Sequence, residues 1–385
     1  MAVQNIAKQR QGVGMRILYF APVYYDDMKQ RPQQLAECLS QKHEVYYIEP
    51  TVSLIRWLIK RGRPYQGEVR QISSSLKCIR LNGVFTLHKS IEVLDFLGIN
   101  NCSEYRQIKK LADSCDMIWT GYSGWYTLVR HLKGKPVVFD WMDEEELLVS
   151  SRLWKLTLKH SRRKLLQSVD LVFVTSRKFY KQLKTRKNVC YVPNALSQDF
   201  LCEKNYGTPE QKKTSGKIIF GYVGTIGEWF DFAVIKRILS LDRNYHIVLV
   251  GKNTQPEFVH ERVTYLGVRP HRELPELIRG FDVCLYNFKK GRLLHTVNPV
   301  KIYEYLAVNK PVLAVWSRET EAFKKHVMLY HEPREIKALL LNGIRRPFTS
   351  EDEYLKFVSS NTWMERSAAI EAMLSRQISA AGQIK

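Results

Sequence analysis

Short apolar runs alternate with amphipathic helical patterns along almost the whole chain. In the first half, Arg16–Ala21, Glu44–Glu49, Met117–Gly121, Pro136–Asp140, Asp170–Thr175 and Val189–Val192 are apolar stretches of strand length, which predicts buried strands. Between them, Pro32–Gln41 and Arg152–Ser168 carry helical periodicity. The second half repeats the rhythm. Strands are predicted at Ile218–Gly224, His246–Gly251, Val263–Gly267, Asp282–Phe288 and Pro311–Trp316, and helices at Phe230–Ser240, Arg272–Gly280, Pro299–Val308 and Glu319–His326. Alternating β and α over this length predicts parallel sheets with helices on both faces. Two such series predict an α/β protein of two Rossmann-like, doubly wound domains; a single (β/α)₈ barrel is the competing architecture.

The 385 residues suit two or three domains. Ser197–Lys217 is polar, holds Gly, Pro and a lysine cluster, and has no period, so it reads as a linker. The expected division is a disordered tail at residues 1–14, a first domain at 15–196, the linker at 197–217, a second domain at 218–350 and a final helical segment at 351–385. Within 351–376 one long helix is predicted, with Tyr354, Phe357, Val358, Trp363, Ile370 and Met373 as its apolar positions. At 45% hydrophobic and 25% charged, the composition is that of a globular chain. The seven cysteines fall at 38, 78, 102, 115, 190, 202 and 284 with no C-x-x-C pair. That spacing argues against a zinc ribbon and suits a reducing cytosol better than a disulfide framework. There is no run of 18 or more apolar residues, so no transmembrane helix is expected.

Charge changes the picture. Sixty Lys and Arg against 38 Asp and Glu give +22, which predicts an anionic partner. Residues 1–190 carry 32 bases and 17 acids, and Arg152–Lys187 holds 12 bases and one acid, Asp170. In Arg152–Ser168, Trp154, Leu158 and Leu165 form an apolar stripe ringed by Arg and Lys; Leu54–Arg63 has the same composition. Both patterns suit a helix lying on an anionic membrane surface, and equally a helix packing its stripe on the sheet. No RNP, KH, zinc or helix-turn-helix pattern is present, so no nucleic-acid partner is expected.

Candidate chemistry collects at the ends of the predicted strands. Gly224, Thr225 and Gly227 follow the first strand of the second half and precede a helix, so the backbone can approach a phosphate there. Lys252 follows the next strand in the same way. Asn298 and Pro299 open a predicted helix, and Lys301 and Glu304, three apart, share one of its faces. A lysine beside a helix N-terminus opposes the dipole unless it meets an anion. A carboxylate one turn on can accept hydrogen bonds from a ribose diol. A surface ion pair between the two is the competing reading. In the first half, Asp140 and Asp143 end a strand, where a carboxylate can orient or deprotonate a hydroxyl. An ion pair for Asp140 and a helix cap for Asp143 are the alternatives. Tyr122 and Trp125 can stack on a ligand's ring or serve the core.

Four segments carry a family resemblance: Arg31-Pro-Gln-Gln-Leu-Ala with His43-Glu-Val-Tyr-Tyr-Ile-Glu-Pro; Val137-Val-Phe-Asp-Trp-Met-Asp-Glu; Tyr191-Val-Pro-Asn-Ala with Asp199-Phe200; and Tyr265-Leu-Gly-Val through Asp282-Val-Cys-Leu-Tyr-Asn-Phe to Pro299-Val-Lys-Ile-Tyr-Glu-Tyr-Leu-Ala. Over about residues 15–345 the chain resembles the GT-B glycosyltransferases of family 4, closest to a branch that makes teichuronic acid. The resemblance implies two Rossmann-like domains facing across a cleft, with a nucleotide-sugar, UDP-linked, on the second and an acceptor on the first. It implies a retaining transfer without a bound metal or other cofactor, the acceptor being a polyprenyl-linked glycan at the inner face of the membrane. The last helix is expected to return toward the first domain.

Residue by residue, Glu304 matches the second glutamate of the family's E-x7-E element, which binds ribose hydroxyls, while the first falls at Thr296. The loop Gly224-Thr-Ile-Gly-Glu-Trp-Phe-Asp lacks the bases the family places there. Lys252, Arg269 beside Val268, Arg292 or Lys301 would meet the diphosphate instead. Tyr24 and Arg31 fall where the acceptor or the donor's sugar would lie. These departures leave room for a non-catalytic scaffold protein of a polysaccharide assembly complex, and a GT-B sugar-nucleotide epimerase is a further enzymatic alternative.

Overall fold

The computed structural model describes residues 14–54, 68–85, 97–201 and 216–382. It divides into two compact units. One holds the described residues of Met1–Thr175, Phe179–Val192 and Ser367–Lys385; the other holds Ser176–Lys178 and those of Pro193–Arg366.

The first unit is built on strands β1 (Arg16–Phe20), β2 (Glu44–Ser53), β3 (Glu68–Gln71), β4 (Leu76–Gly83), β5 (Met117–Thr120), β6 (Val137–Trp141), β7 (Leu171–Val174) and β8 (Val189–Tyr191). They form one sheet in the order β3-β4-β2-β1-β5-β6-β7-β8, parallel except for β3 against β4. Ile17, Leu18, Tyr19 and Phe20 of β1 are all fully buried, as a strand covered on both faces requires. On one face Leu18 and Phe20 meet Ile108 and Leu111 of α2 (Asn101–Ser114) and Trp154 and Leu158 of α4 (Arg152–Ser168). On the other, Tyr47, Tyr19, Trp119 and Phe173 stack with centroids 5.2–5.7 Å apart. Further helices among the described residues are α1 (Arg31–Leu39), α3 (Tyr126–Val129) and α5 (Arg177–Gln182).

The second unit has a parallel sheet in the order β11-β10-β9-β12-β13-β14. Its strands are β9 (Ile218–Val223), β10 (Tyr245–Val250), β11 (Val263–Gly267), β12 (Val283–Tyr286), β13 (Val312–Val315) and β14 (Met328–Tyr330). Helices α6 (Phe232–Leu239), α7 (Leu274–Arg279), α8 (Val300–Ala307), α9 (Ile336–Leu341) and α10 (Glu351–Ser360) accompany it. Two separate sheets replace the single closed sheet of a barrel.

Several local expectations differ from what is found. β4 pairs its buried Leu76, Cys78, Ile79 and Leu81 beside β2, and β3 adds the antiparallel edge; neither stood out as an apolar run. Glu319–His326 is not a helix beyond a 3-10 turn at Thr320–Phe323. There the Thr320 hydroxyl donates to the Val315 carbonyl at 2.8 Å and accepts the Ser317 N–H at 2.7 Å, competing with helical bonds. The expected single final helix is two, because Asn361 ends α10 by donating its amide to the Phe357 carbonyl at 2.7 Å. The second, α11 (Trp363–Gly382), joins the first unit from Ser367 onward: Ile370 and Leu374 are buried there and Glu371 lies 2.9 Å from His43 Nε2.

The polar stretch after Leu196 is not wholly linker. Gln198–Phe200 forms a 3-10 turn with Phe200 fully buried in the second unit; residues 202–215 lie outside the described residues, as do 1–13, most of Leu54–Arg63 and Cys202. The six described cysteines are free thiols. The stripe Trp154, Leu158 and Leu165 of α4 is buried in the protein, so it is not the side that could meet a membrane. Among the described residues no helix is long and apolar enough to cross one.

Candidate functional site

The second sheet runs from β9 outward through β10 and β11, then restarts beside β9 with β12. In an open α/β sheet this reversal opens a crevice at the strands' carboxyl ends. Three glycines line that edge: Gly224, Gly251 and Gly267 end β9, β10 and β11 with φ of 151°, 136° and 67°. Gly224 N donates to Val250 O and Gly251 N to Gly267 O, both at 2.8 Å, and a Cβ on Gly251 would collide with the Gly224 carbonyl. The three backbones therefore run side by side with no side chain between them and a ligand.

The loop after Gly224 differs from the expected phosphate cradle. Ile226 N donates to Lys252 O at 2.9 Å, so the ladder continues past the strand ends. Gly227 gives room to the Trp229 ring, and Glu228–Asp231 separate it from α6. The N-terminus of α6 is capped by Asp231 itself, whose carboxylate accepts the Ala233 N–H at 2.9 Å. Phe230 instead pairs antiparallel with Phe288, tying the loop after β9 to the loop after β12. Thr225 stays half-buried, its carbonyl accepting the Tyr222 hydroxyl at 3.1 Å.

The chemistry concentrates at the start of α8. Glu304 is 4% exposed. Its Oε2 lies 2.8 Å from Lys301 Nζ and its Oε1 3.6 Å from His271 Nε2. His271 Nδ1 is in turn 2.6 Å from Asp199 Oδ2, and Phe200 stands edge-on to the imidazole at 5.5 Å. Burial alone would raise the Glu304 carboxyl, but Lys301 and His271 together hold it below the usual carboxylate range. Burial would lower His271, yet Glu304 and Asp199 raise it above the ordinary histidine value. The cluster is two carboxylates and two bases, locally close to neutral. The i, i+3 ion pair between Lys301 and Glu304 is thus present, and it is part of a larger buried constellation rather than a solvated surface pair.

Two expected contacts are redirected. Asn298 does not cap α8, which begins at Val300 after Pro299. Its Oδ1 accepts the Asn194 N–H at 2.9 Å and its Nδ2 reaches Glu319 Oε2 at 3.5 Å, so it knits the Pro193-Asn194-Ala195 segment to a buried glutamate. Thr296 is fully buried with its hydroxyl donating to the Leu293 carbonyl at 3.0 Å, which leaves it unable to serve in place of the missing glutamate. Lys252, Val268 and Arg269 are exposed near the glycine edge, and Arg292 is exposed beyond β12.

In the first unit, Arg31 and Asp140 find each other. The Arg31 guanidinium donates Nε at 2.9 Å to Oδ2 and Nη2 at 2.8 Å to Oδ1, with the side chains 4% and 0% exposed. A carboxylate held this way cannot take a proton from an acceptor, and the arginine is not offered to one. Trp125 is fully buried against Phe20 with its indole N–H on the Ala21 carbonyl at 2.8 Å, so its ring belongs to the core and not to a sugar. The Tyr122 hydroxyl accepts the Trp154 indole N–H at 3.2 Å. Tyr24 is half-buried beneath the Arg80 guanidinium, 5.3 Å from its ring, and Asp143 is half-buried with its carbonyl accepting the Trp141 indole N–H.

Sequence reasoning did not single out His271, Glu319 or Glu145. Glu145 is buried, accepts the Ser123 N–H at 2.8 Å and hydroxyl, and has its carboxyl pushed up to about 7 by burial. A lone histidine four residues after Gly267 carries no sequence signal of the two carboxylates that flank it, although Glu304 and the Asp199-Phe200 pair each stood out separately.

Two doubly wound units of these strand orders define the class of fold, which is that of the GT-B glycosyltransferases. The chain is 22% identical over 334 residues, 78% of its length and 80% of the relative's, to a Bacillus subtilis (strain 168) protein provisionally named teichuronic acid biosynthesis glycosyltransferase TuaH. Among solved structures it resembles the sucrose-phosphate synthase tll1590 of Thermosynechococcus elongatus (TM-score 0.64, 14% identity, 95% and 100% of the two chains). It also resembles Anabaena Alr3699/HepE in complex with UDP and glucose (0.60, 13%, 94% and 99%). A UDP-forming trehalose-phosphate synthase of Burkholderia xenovorans with glucose-6-phosphate is similar too (0.64, 11%, 94% and 100%). No protein-family profile matches the chain.

Proposed function

We propose that the chain transfers a sugar from a nucleotide-sugar, UDP-linked, to a lipid-linked glycan acceptor, with retention of configuration, in making an anionic wall polysaccharide of the teichuronic acid type. One observation carries the donor half: a buried glutamate, held ionised by Lys301 and His271, at the carboxyl edge of a parallel sheet whose backbone is bared by three glycines. An ionised carboxylate there accepts both hydroxyls of a ribose, and the diol replaces Lys301 on it. Lys301 then turns to the diphosphate together with Lys252 and Arg269, which enter no ion pair among the described residues, and Arg292. Fixed cations beside the leaving diphosphate lower the barrier to its departure, so a resident metal is not required of this reading. The complexes of HepE with UDP and with UDP-glucose support UDP as the nucleotide; the resemblance to TuaH supports the wall-polysaccharide setting. On the acceptor side Asp143 and Tyr24 remain after Asp140, Arg31 and Trp125 are assigned to the interior.

Calorimetric titration with UDP, GDP, ADP and dTDP tests the donor half, on the wild type and on Glu304→Ala and Glu304→Gln. Binding of UDP alone, lost in both folded variants, is the expected result. Equal UDP binding by the variants sinks the site; no binding of any of the four to the wild type turns the reading to a non-catalytic scaffold.

A further inference from the structure

We propose that the outward face of α4 is a docking surface for an anionic lipid bilayer. With Trp154, Leu158, Ser161, Arg162 and Leu165 turned into the protein, the opposite side presents Arg152, Leu153, Lys155, Leu156, Lys159 and Arg163, all exposed. Leu153 and Leu156 are 57% and 59% exposed, and on a helical wheel Leu156 borders the arc of the four bases, next to Arg163.

The bases partition by partner. Arg162, the one turned inward, pairs with buried Glu146. Arg152, Lys155, Lys159 and Arg163 enter no ion pair among the described residues. The acidic run just before the helix does not offset them, because Glu144, Glu145 and Glu146 are all buried.

This arrangement works against the helix itself. Its first turn holds no acid, and Arg152 and Lys155 there oppose the macrodipole. Lys155 with Lys159, and Lys159 with Arg163, are like charges four apart, which repel. Ser151, whose hydroxyl accepts the Trp154 N–H at 3.3 Å, and the buried stripe supply the stability that the outer face does not. An anionic surface relieves each of these conflicts. The two leucines select the kind of surface: a sheet of phosphates fronting hydrocarbon takes both bases and leucines, whereas a nucleic-acid backbone leaves the leucines wet. This surface stands independently of the donor assignment, since it needs neither Glu304 nor a sugar.

The test is co-sedimentation of the full chain, without nucleotide, with vesicles of phosphatidylcholine alone or containing about one-third phosphatidylglycerol. Wild type should sediment only with the anionic vesicles, and release as salt rises well above about 0.15 M. Each base near such a leaflet is worth about fivefold in partitioning, so Lys155→Gln/Lys159→Gln/Arg163→Gln should bind about a hundredfold more weakly. Leu153→Ser/Leu156→Ser should weaken binding with its charge unchanged. Arg243→Gln/Lys324→Gln/Lys337→Gln removes the same charge from the second unit and should bind as wild type. The proposal is overturned if wild type ignores anionic vesicles, if the α4 triple variant sediments undiminished while folded, or if the control loses as much. Binding to duplex DNA at physiological salt, lost in the α4 variant without any vesicle binding, also overturns it.

Discussion

His271 Nδ1 lies 2.6 Å from Asp199 Oδ2, which fixes the ring so that Nε2 faces Glu304. Because Glu304 and Asp199 raise the folded-state value of His271 above 6.5, its stabilising contribution is complete below that pH and is lost as pH rises through the raised value. Glu304 is lowered, so its contribution is present above 4.5 and is lost as pH falls through the lowered value. Protection of the β12 and α8 amides, taken as exchange relative to the intrinsic rate at each pH, should be greatest between these limits and fall as pH rises through the raised His271 value. His271→Gln should remove the alkaline change; an unchanged profile in that variant would show that the ring is not the titrating group.

Glu145 has the opposite effect on the first unit. A carboxyl raised from 4.5 to about 7 by burial costs nothing while protonated, and stability falls as pH rises from 4.5 to about 7. The full span corresponds to about 3 kcal/mol. Glu145→Gln keeps an acceptor for the Ser123 N–H, and its amide can donate to the Ser123 hydroxyl, which already reaches the Leu158 carbonyl. The variant should match wild type near pH 5 and melt higher above pH 7. Equal melting curves at pH 8 would contradict this.

The Arg31–Asp140 pair can be dissected by thermal melts. Removing either partner alone should cost the first unit about 3–5 kcal/mol by stranding a buried charge. Arg31→Met/Asp140→Leu should be markedly milder than Asp140→Leu alone. A double variant as damaged as the single ones would point to a role beyond pairing.

Gly251→Ala should be destabilising by about 2 kcal/mol and abolish UDP binding, because the methyl group enters the Gly224 carbonyl at a φ of 136°. Gly343→Ala is the control: its φ is 90°, but open space surrounds it, so only the backbone strain is felt. If both variants bind UDP alike, the bared glycine edge is not the donor's platform.

The fold was legible because strands covered on both faces must be continuous apolar runs, as Arg16–Phe20 and Val283–Tyr286 are. β4 and β3 sit toward the sheet's edge, where half-buried, charged residues dilute that signal. Lys301 and Glu304 were legible because three residues of spacing on a helix is a contact in itself. Asp140 with Arg31 and His271 with Asp199 are 109 and 72 residues apart, and no local pattern encodes them. The same distance hid the fate of Trp125: only the fold reveals that Ala21 takes its indole N–H.

The division of α11 bears on how the chain is made. Ile370, Glu371 and Leu374 complete the first unit, although the second unit is encoded between them and β8. A ribosome adding about 5–20 residues per second therefore finishes the second unit while the first still lacks its last helix, for roughly ten seconds or more. During that interval the first unit waits with apolar surface uncovered. The unit synthesised first is the one that matures last, and a ribosome stalled before Ser367 would release a chain whose second unit is whole and whose first is not.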